Sequence, residues 1–378
     1  MLNILARDFS QQSRIETFTI AIPQLGDRLR NIQVYLPPDY DSSEKSYPVF
    51  YLFDGANLFN PLPGAVGDYA VDETLDRLFI EDSLGGVIVV GIEHNNDSEW
   101  SEYMPWVNGN MYDWVKRNNS ASGEGGEGFA FTDFLVQTLK PEIDSRYRTL
   151  TDKENTAIGG FCRMGLLPVV AAIKYPDTFG HVMAMSPAVW MAEEGGYWLS
   201  NNNLINFINT NSLPENVKFY IDIGTEESSG SRPPVKDQNG DRITYPRAYV
   251  EGAQALAFAL KNGGVPDKNL IFQIFDGVSG KRDVWAQRLD NVFLWFFDGV
   301  EAYSGSTPVE TVVPESPEGD QENQVFLPGI QQNAPSDELN NETPVETTSP
   351  RISSKLVIGA GLVLVSFAGG YWLLKKAR

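Results

Sequence analysis

The chain has 378 residues, of which 50 are Asp or Glu and 29 are Lys or Arg, so its formal net charge is −21 and its pI about 4.5. That balance excludes a nucleic-acid partner, which needs clustered cations, and 8 Trp, 15 Tyr and 21 Phe exclude a wholly disordered chain. The single cysteine, Cys162, excludes an intramolecular disulfide and a cysteine-based zinc site; with only His94 and His181, a histidine-rich metal site is excluded too. No metal or cofactor is therefore expected.

In chain order, Phe18–Ile22 and Ile32–Pro37 read as a hairpin. Short apolar runs follow at Val49–Asp54, Gly86–Ile92, Thr156–Phe161, His181–Ser186, Val217–Ile223 and Leu270–Phe275. Continuous apolar runs suit strands buried on both faces of a parallel sheet. Between them, helical patterns cover Val71–Phe79, Phe131–Ser145, Cys162–Lys174, Ala248–Lys261 and Asp283–Gly299. Strands alternating with helices predict an α/β three-layer sandwich on one mostly parallel sheet, a single domain over residues 1–302. The string Asp237-Gln238-Asn239-Gly240-Asp241 has calcium-loop character, but its glycine is misplaced and no glutamate closes it, so a tight turn is expected.

Beyond Ala302 the composition changes. Residues 303–355 are rich in Ser, Thr, Pro and Glu, with nine acidic residues and no Lys or Arg between Tyr303 and Pro350. Such a stretch buries too little apolar surface to offset its ordering entropy and reads as an extended linker. Leu356–Leu374 is an uncharged run of 19 residues followed by the basic tail 375–378, with Lys375, Lys376 and Arg378. At 1.5 Å per residue it spans roughly 28 Å, the thickness of a bilayer's hydrocarbon core, and predicts a single-pass C-terminal membrane anchor. Two signals oppose each other on its orientation. The terminal cations put the C-terminus in the cytoplasm and the body outside. The start, MLNILARDFSQQSRIE, lacks an apolar run of signal-peptide length and implies a tail-anchored, cytosolic body. The last four residues also fit a dilysine retrieval signal.

The strand Thr156–Phe161 running into a helix at Cys162 has the form of a nucleophile elbow, a strained strand-to-helix turn with the nucleophile at its apex. Close approach of strand and helix calls for small residues two positions before and after the nucleophile. Gly160 meets the first requirement and Met164 fails the second.

Four strings then agree in order with one family. Val34-Tyr35-Leu36-Pro37-Pro38-Asp39-Tyr40 and Tyr47–Phe59 (YPVFYLFDGANLF) precede the elbow, as does Glu102-Tyr103-Met104-Pro105-Trp106, and Ser186-Pro187-Ala188-Val189-Trp190 follows it. Over roughly Ile15–Phe297 the chain resembles the putative-esterase family of α/β-hydrolases, which includes esterase D and enterochelin-esterase-like enzymes. The resemblance implies an α/β-hydrolase fold and carboxylic-ester hydrolysis. It places the nucleophile at Cys162, the oxyanion hole at the Gly55-Ala56-Asn57 turn and the Arg163 backbone N–H, and the acidic member of the triad at Glu227. The family's histidine, in a pattern like H-x-E-x-x-W-x-x-R-L, falls near Gly280, ahead of Trp285-Ala286-Gln287-Arg288-Leu289, and no histidine stands there.

A thiol without a base is a poor catalyst, because the thiolate is the nucleophile. His181 starts a strand, where its side chain is expected to pack near the sheet's bottom edge. His94 follows the strand Gly86–Ile92, at the carboxyl edge where α/β active sites lie, and is the candidate substitute base. Two readings stay open: a catalytically degenerate module that binds a small acyl or anionic ligand or a protein partner, and a cysteine-dependent ester or thioester hydrolase. Arg163, Lys281 and Arg282 are expected to gather at the cleft and attract an anion. Trp100, Trp106, Trp114, Trp190 and Trp198 are expected to line the cleft or pack in the core.

Overall fold

Alternation within single strands decides how the sheet is covered. In Val49–Phe53, Val49, Tyr51 and Phe53 enter one buried cluster while Phe50 and Leu52 enter another on the opposite face. A strand apolar on both faces must lie inside a layered fold, and the computed structural model has that arrangement. It describes residues 12–59, 68–94, 98–108, 125–192, 201–228, 236 and 240–297.

The strands are β1 (Arg14–Ile22), β2 (Arg28–Leu36), β3 (Val49–Phe53), β4 (Ile88–Ile92), β5 (Thr156–Phe161), β6 (His181–Met185), β7 (Lys218–Gly224) and β8 (Leu270–Phe275). They form one sheet in the order β1-β2-β4-β3-β5-β6-β7-β8. β1 pairs with β2 antiparallel from Arg14↔Leu36 to Ile22↔Arg28, and β2 pairs antiparallel with β4. From β4 onward every pairing is parallel. β3 has β4 on one side and β5 on the other, so the winding reverses at β3–β5; ligands of open α/β sheets sit at the carboxyl ends of the strands at such a point.

The helices are α1 (Val71–Ile80), α2 (Glu99–Tyr103), α3 (Gly128–Phe134), α4 (Lys140–Arg146), α5 (Leu166–Lys174), α6 (Asn203–Thr210), α7 (Tyr245–Asn262), α8 (Arg282–Ala286) and α9 (Leu289–Phe297). α3 through α7 supply one core, with Phe131, Phe134, Ile143, Val170, Leu204 and Leu256 among its buried residues. α1 and α9 supply the other, where Leu75 and Leu78 join Val292 and Phe293, and Phe293 meets Phe50 edge-on at 5.6 Å.

The strands fall within two residues of the apolar runs, apart from the two strands of the hairpin, each of which begins four residues earlier. The helices differ more. A π turn over Leu135–Leu139 joins α3 to α4, so the predicted helix over Phe131–Ser145 starts at Gly128 and is underwound in its middle. The pattern over Asp283–Gly299 splits into α8 and α9, because buried Arg288 turns in toward Asp222 and Ser186. α2 and α6 were not anticipated; Asn202 caps α6 by accepting from the N–H groups of Leu204 and Ile205. The linker 303–355, the run 356–374, the tail 375–378, Trp114, Trp198 and residues 237–239 lie outside the described residues. Among the described residues no helix is long and apolar enough to cross a membrane.

Candidate active site

β5 leaves the sheet at Phe161, and Cys162 takes a left-handed backbone conformation, φ 53°. A non-glycine residue there stores strain of about 1–3 kcal/mol, which only a surrounding packed structure can hold. The chain then makes a 3-10 turn, Cys162–Gly165, before α5 begins. Gly160 permits the turn, since a Cβ there would come within 2.6 Å of the Met164 carbonyl carbon. The second small residue is Gly165, whose Cβ position lies 3.3 Å from the Gly160 oxygen and 3.4 Å from Pro187. The 3-10 turn thus shifts the requirement one residue along, and Met164 is free to bury its side chain in the core.

The Cys162 thiol is partly buried and lies 3.1 Å from the Tyr249 hydroxyl, brought in by α7. Burial raises its pKa above the ordinary thiol value; the Tyr249 hydrogen bond and the Arg163 backbone N–H act against this, and the charges of Glu227 and Asp54 act with it.

Across the sheet, the pair Leu52↔Gly159 sets the end of β3 beside the end of β5. Asp54 takes φ 68° and a 3-10 turn over Gly55–Asn57 follows, whose leading N–H groups have no acceptor within the turn. Gly55 is required there because a Cβ would lie 2.7 Å from the Glu93 nitrogen and the Gly91 carbonyl carbon. Buried Asp54 accepts from the Asn57 amide at 2.7 Å and the Tyr69 hydroxyl at 2.9 Å. His94 Nε2 is 3.6 Å and Arg282 Nη2 3.8 Å from its oxygens. His94 is therefore turned to Asp54, and burial lowers its pKa despite that carboxylate.

The cations do not form an open anion site. Arg163 is ion-paired with Glu99 and lies 5.2 Å over the Trp100 ring. Arg282 faces Asp54, and Lys281 is exposed at the start of α8. Of the tryptophans, Trp106 packs against Phe129 and Phe207, and fully buried Trp190 packs against Tyr245 and Tyr249.

Glu227 follows β7 and is 2% exposed. Its Oε1 accepts from Ser186 Oγ at 2.6 Å and the Gly224 N–H at 3.3 Å. Ser186, itself at φ 47°, accepts in turn from Trp285 Nε1 at 3.0 Å and Arg288 Nη2 at 3.4 Å. Arg288 is ion-paired with buried Asp222 at 3.3 Å, and the Tyr220 hydroxyl donates to Asp222. Burial raises the pKa of Glu227, opposed by its bonds to Ser186 and Gly224.

The second oxygen of Glu227 stands against Gly280. A Cβ built on Gly280 would lie 1.8 Å from Oε2 and 2.9 Å from Cδ. The position where the family resemblance calls for histidine is thus bounded by a carboxyl group. His181 is remote in kind as well: its Nε2 donates to the Glu154 carbonyl at 2.7 Å and its ring stacks on Phe296, while burial lowers its pKa to about 4. Neither histidine has a hydrogen bond or ion pair with Cys162.

Asp54, Tyr69, Ser186, Asp222, Tyr249 and Arg288 were not singled out from sequence as site residues. Asp54 and Asp222 carried a signal, as lone carboxylates in or ending apolar strands; Tyr249 carried none, one aromatic residue in an ordinary amphipathic helix.

A sheet wound this way, with a sharp strand-to-helix turn carrying Cys162 at the end of β5 and an acidic residue after β7, has the form of the α/β-hydrolase fold. The family model described as Putative esterase matches residues 24–296, and the chain belongs to that family. A Bacillus subtilis (strain 168) relative, the uncharacterized protein YbbA, is 23% identical over 270 residues, covering 71% of this chain and 92% of that protein. Among solved structures, a ferulic acid esterase superposes with a TM-score of 0.54 at 19% identity, covering 76% of this chain and 99% of the other. An IroE-like serine hydrolase from Shewanella oneidensis superposes with a TM-score of 0.56 at 19% identity, covering 76% and 81%.

Proposed function

We propose that this esterase-family chain is a membrane-anchored binding module whose cleft takes an ester or acyl ligand without hydrolysing it. The observation that carries the reading is the pairing of Gly280 with Glu227: a carboxyl group bounds the place of the general base, and a phenol, not an imidazole, is the hydrogen-bond partner of Cys162. General-base assistance contributes typically 10²–10⁴-fold, and a thiol whose pKa is raised by burial cannot supply that by self-ionisation. An acyl ligand is favoured over an anion because Arg163 and Arg282 already face carboxylates. The esterases among the structural neighbours, acting on their own substrates, support an ester-like ligand class. Anchoring is supported by the 19-residue uncharged run Leu356–Leu374 and its flanking lysines.

The test is an assay of the purified chain with short-chain aryl and alkyl esters. The expected outcome is no sustained turnover that Cys162→Ala removes. Sustained turnover abolished by that substitution overturns the reading in favour of a cysteine-dependent hydrolase.

A further inference from the structure

A cleft that keeps its nucleophile and its oxyanion donors but not its base is not inert toward every acyl compound. We propose that Cys162 is an acyl acceptor: it takes one acyl group from an acyl thioester or aryl ester and holds it as a thioester. This inference rests on the non-hydrolytic reading above and specifies its ligand class.

Three observations carry it. Cys162 keeps the strained apex geometry, is itself only partly buried, and has the Arg163 N–H directed at its sulfur. The strand register brings the Gly55 turn to the same end of the sheet, so tetrahedral negative charge forming on an acyl carbon at the sulfur has backbone donors on two sides. Glu227, 2% exposed, spends Oε1 on Ser186 and Gly224, whereas Oε2 accepts no hydrogen bond among the described residues and lies at Gly280. The carboxyl group therefore occupies the space where a side chain at position 280 would begin.

The balance of the step selects the donor. The Cys162 thiol gives its proton to solvent; the thiolate sulfur bonds to the acyl carbon; the bond from that carbon to the donor's sulfur or aryl oxygen breaks, and the leaving atom departs with the electron pair as thiolate or phenolate. Such groups are stable as anions near neutral pH and need no acid. An alkoxide needs one, and no imidazole stands ready to protonate it, so alkyl esters do not acylate the site. In the second half-reaction water must be deprotonated as it attacks, and with no imidazole at Gly280 the acyl-sulfur bond persists.

The test uses the full chain with p-nitrophenyl acetate, S-acetyl-N-acetylcysteamine and ethyl acetate, reading released p-nitrophenolate and intact protein mass. The first two are expected to add one acetyl group per chain, with a single equivalent of p-nitrophenolate and then no further release. Ethyl acetate is expected to add none. The adduct should map to Cys162, be removed by neutral hydroxylamine, and be absent from Cys162→Ala and Cys162→Ser. Its rate should keep rising with pH above the range of an ordinary thiol. Absence of a Cys162 adduct overturns this inference and leaves the non-hydrolytic reading standing. Continued release abolished by Cys162→Ala overturns both.

Discussion

Gly280 illustrates how much one missing side chain can decide. Its Cβ position lies 1.8 Å from an oxygen of Glu227, and that carboxyl group is anchored to Ser186 rather than loose. Even a methyl group must therefore push Glu227 off its partners, and Gly280→Ala should cost about 1–3 kcal/mol by overpacking. Shortening the acid relieves the collision: Glu227→Asp with Gly280→Ala should be more stable than the sum of the single changes by at least 0.5 kcal/mol or so, a coupling that urea midpoints measure directly. Equal additivity would mean that the two groups do not share the space. Cys162 was legible from the strand-to-helix elbow, whereas Gly280 and Glu227 were reached only through the family resemblance. Tyr249 and Ser186 were not legible, since their partners stand 87 and 41 residues away in the chain and only folding brings them together.

At the scale of elements, burial on both faces made strands easy to read: β5 has all six residues buried and matches its apolar run end to end. α2 escaped because five residues are too few to establish a helical period. Its structural role is electrostatic. Glu102 on α2 is fully buried and paired with buried Arg30 of β2 at 2.6 Å, and Arg28 reaches both Glu102 and Glu127. α2 is thereby pinned to β2, on the antiparallel side of the sheet. Removing one partner leaves the other charge buried and uncompensated, so Glu102→Gln should destabilise the fold by about 3–5 kcal/mol in a denaturant titration. A change under 1 kcal/mol would show that Arg28 and Glu127 alone hold the segment.

For the whole molecule, pH acts through His181 far more clearly than through the candidate site. The folded pKa of His181 is lowered to about 4 from 6.5 because the ring is buried against Phe296. Between those values the unfolded chain binds a proton that the folded chain does not, so the stability present above pH 6.5 is lost as pH falls toward 4, by up to about 3 kcal/mol. His181→Gln should flatten that part of the stability-against-pH curve, as thermal melts across the range would register. The proposed anchor is a separate matter of composition: on that proposal, ending the chain at residue 302 should move it from the membrane to the soluble fraction, and an unchanged distribution would remove the case for an anchor in Leu356–Leu374.

The collision between a side chain at position 280 and Glu227 also bears on history. An imidazole at position 280 cannot be installed by one substitution, because a side chain there meets the Glu227 carboxyl group, and a shorter acid at 227 alone supplies no base. Each single step yields a protein that is less stable or gains no base, so under the non-hydrolytic reading proposed above selection can more readily refine what the cleft holds than add hydrolysis to it.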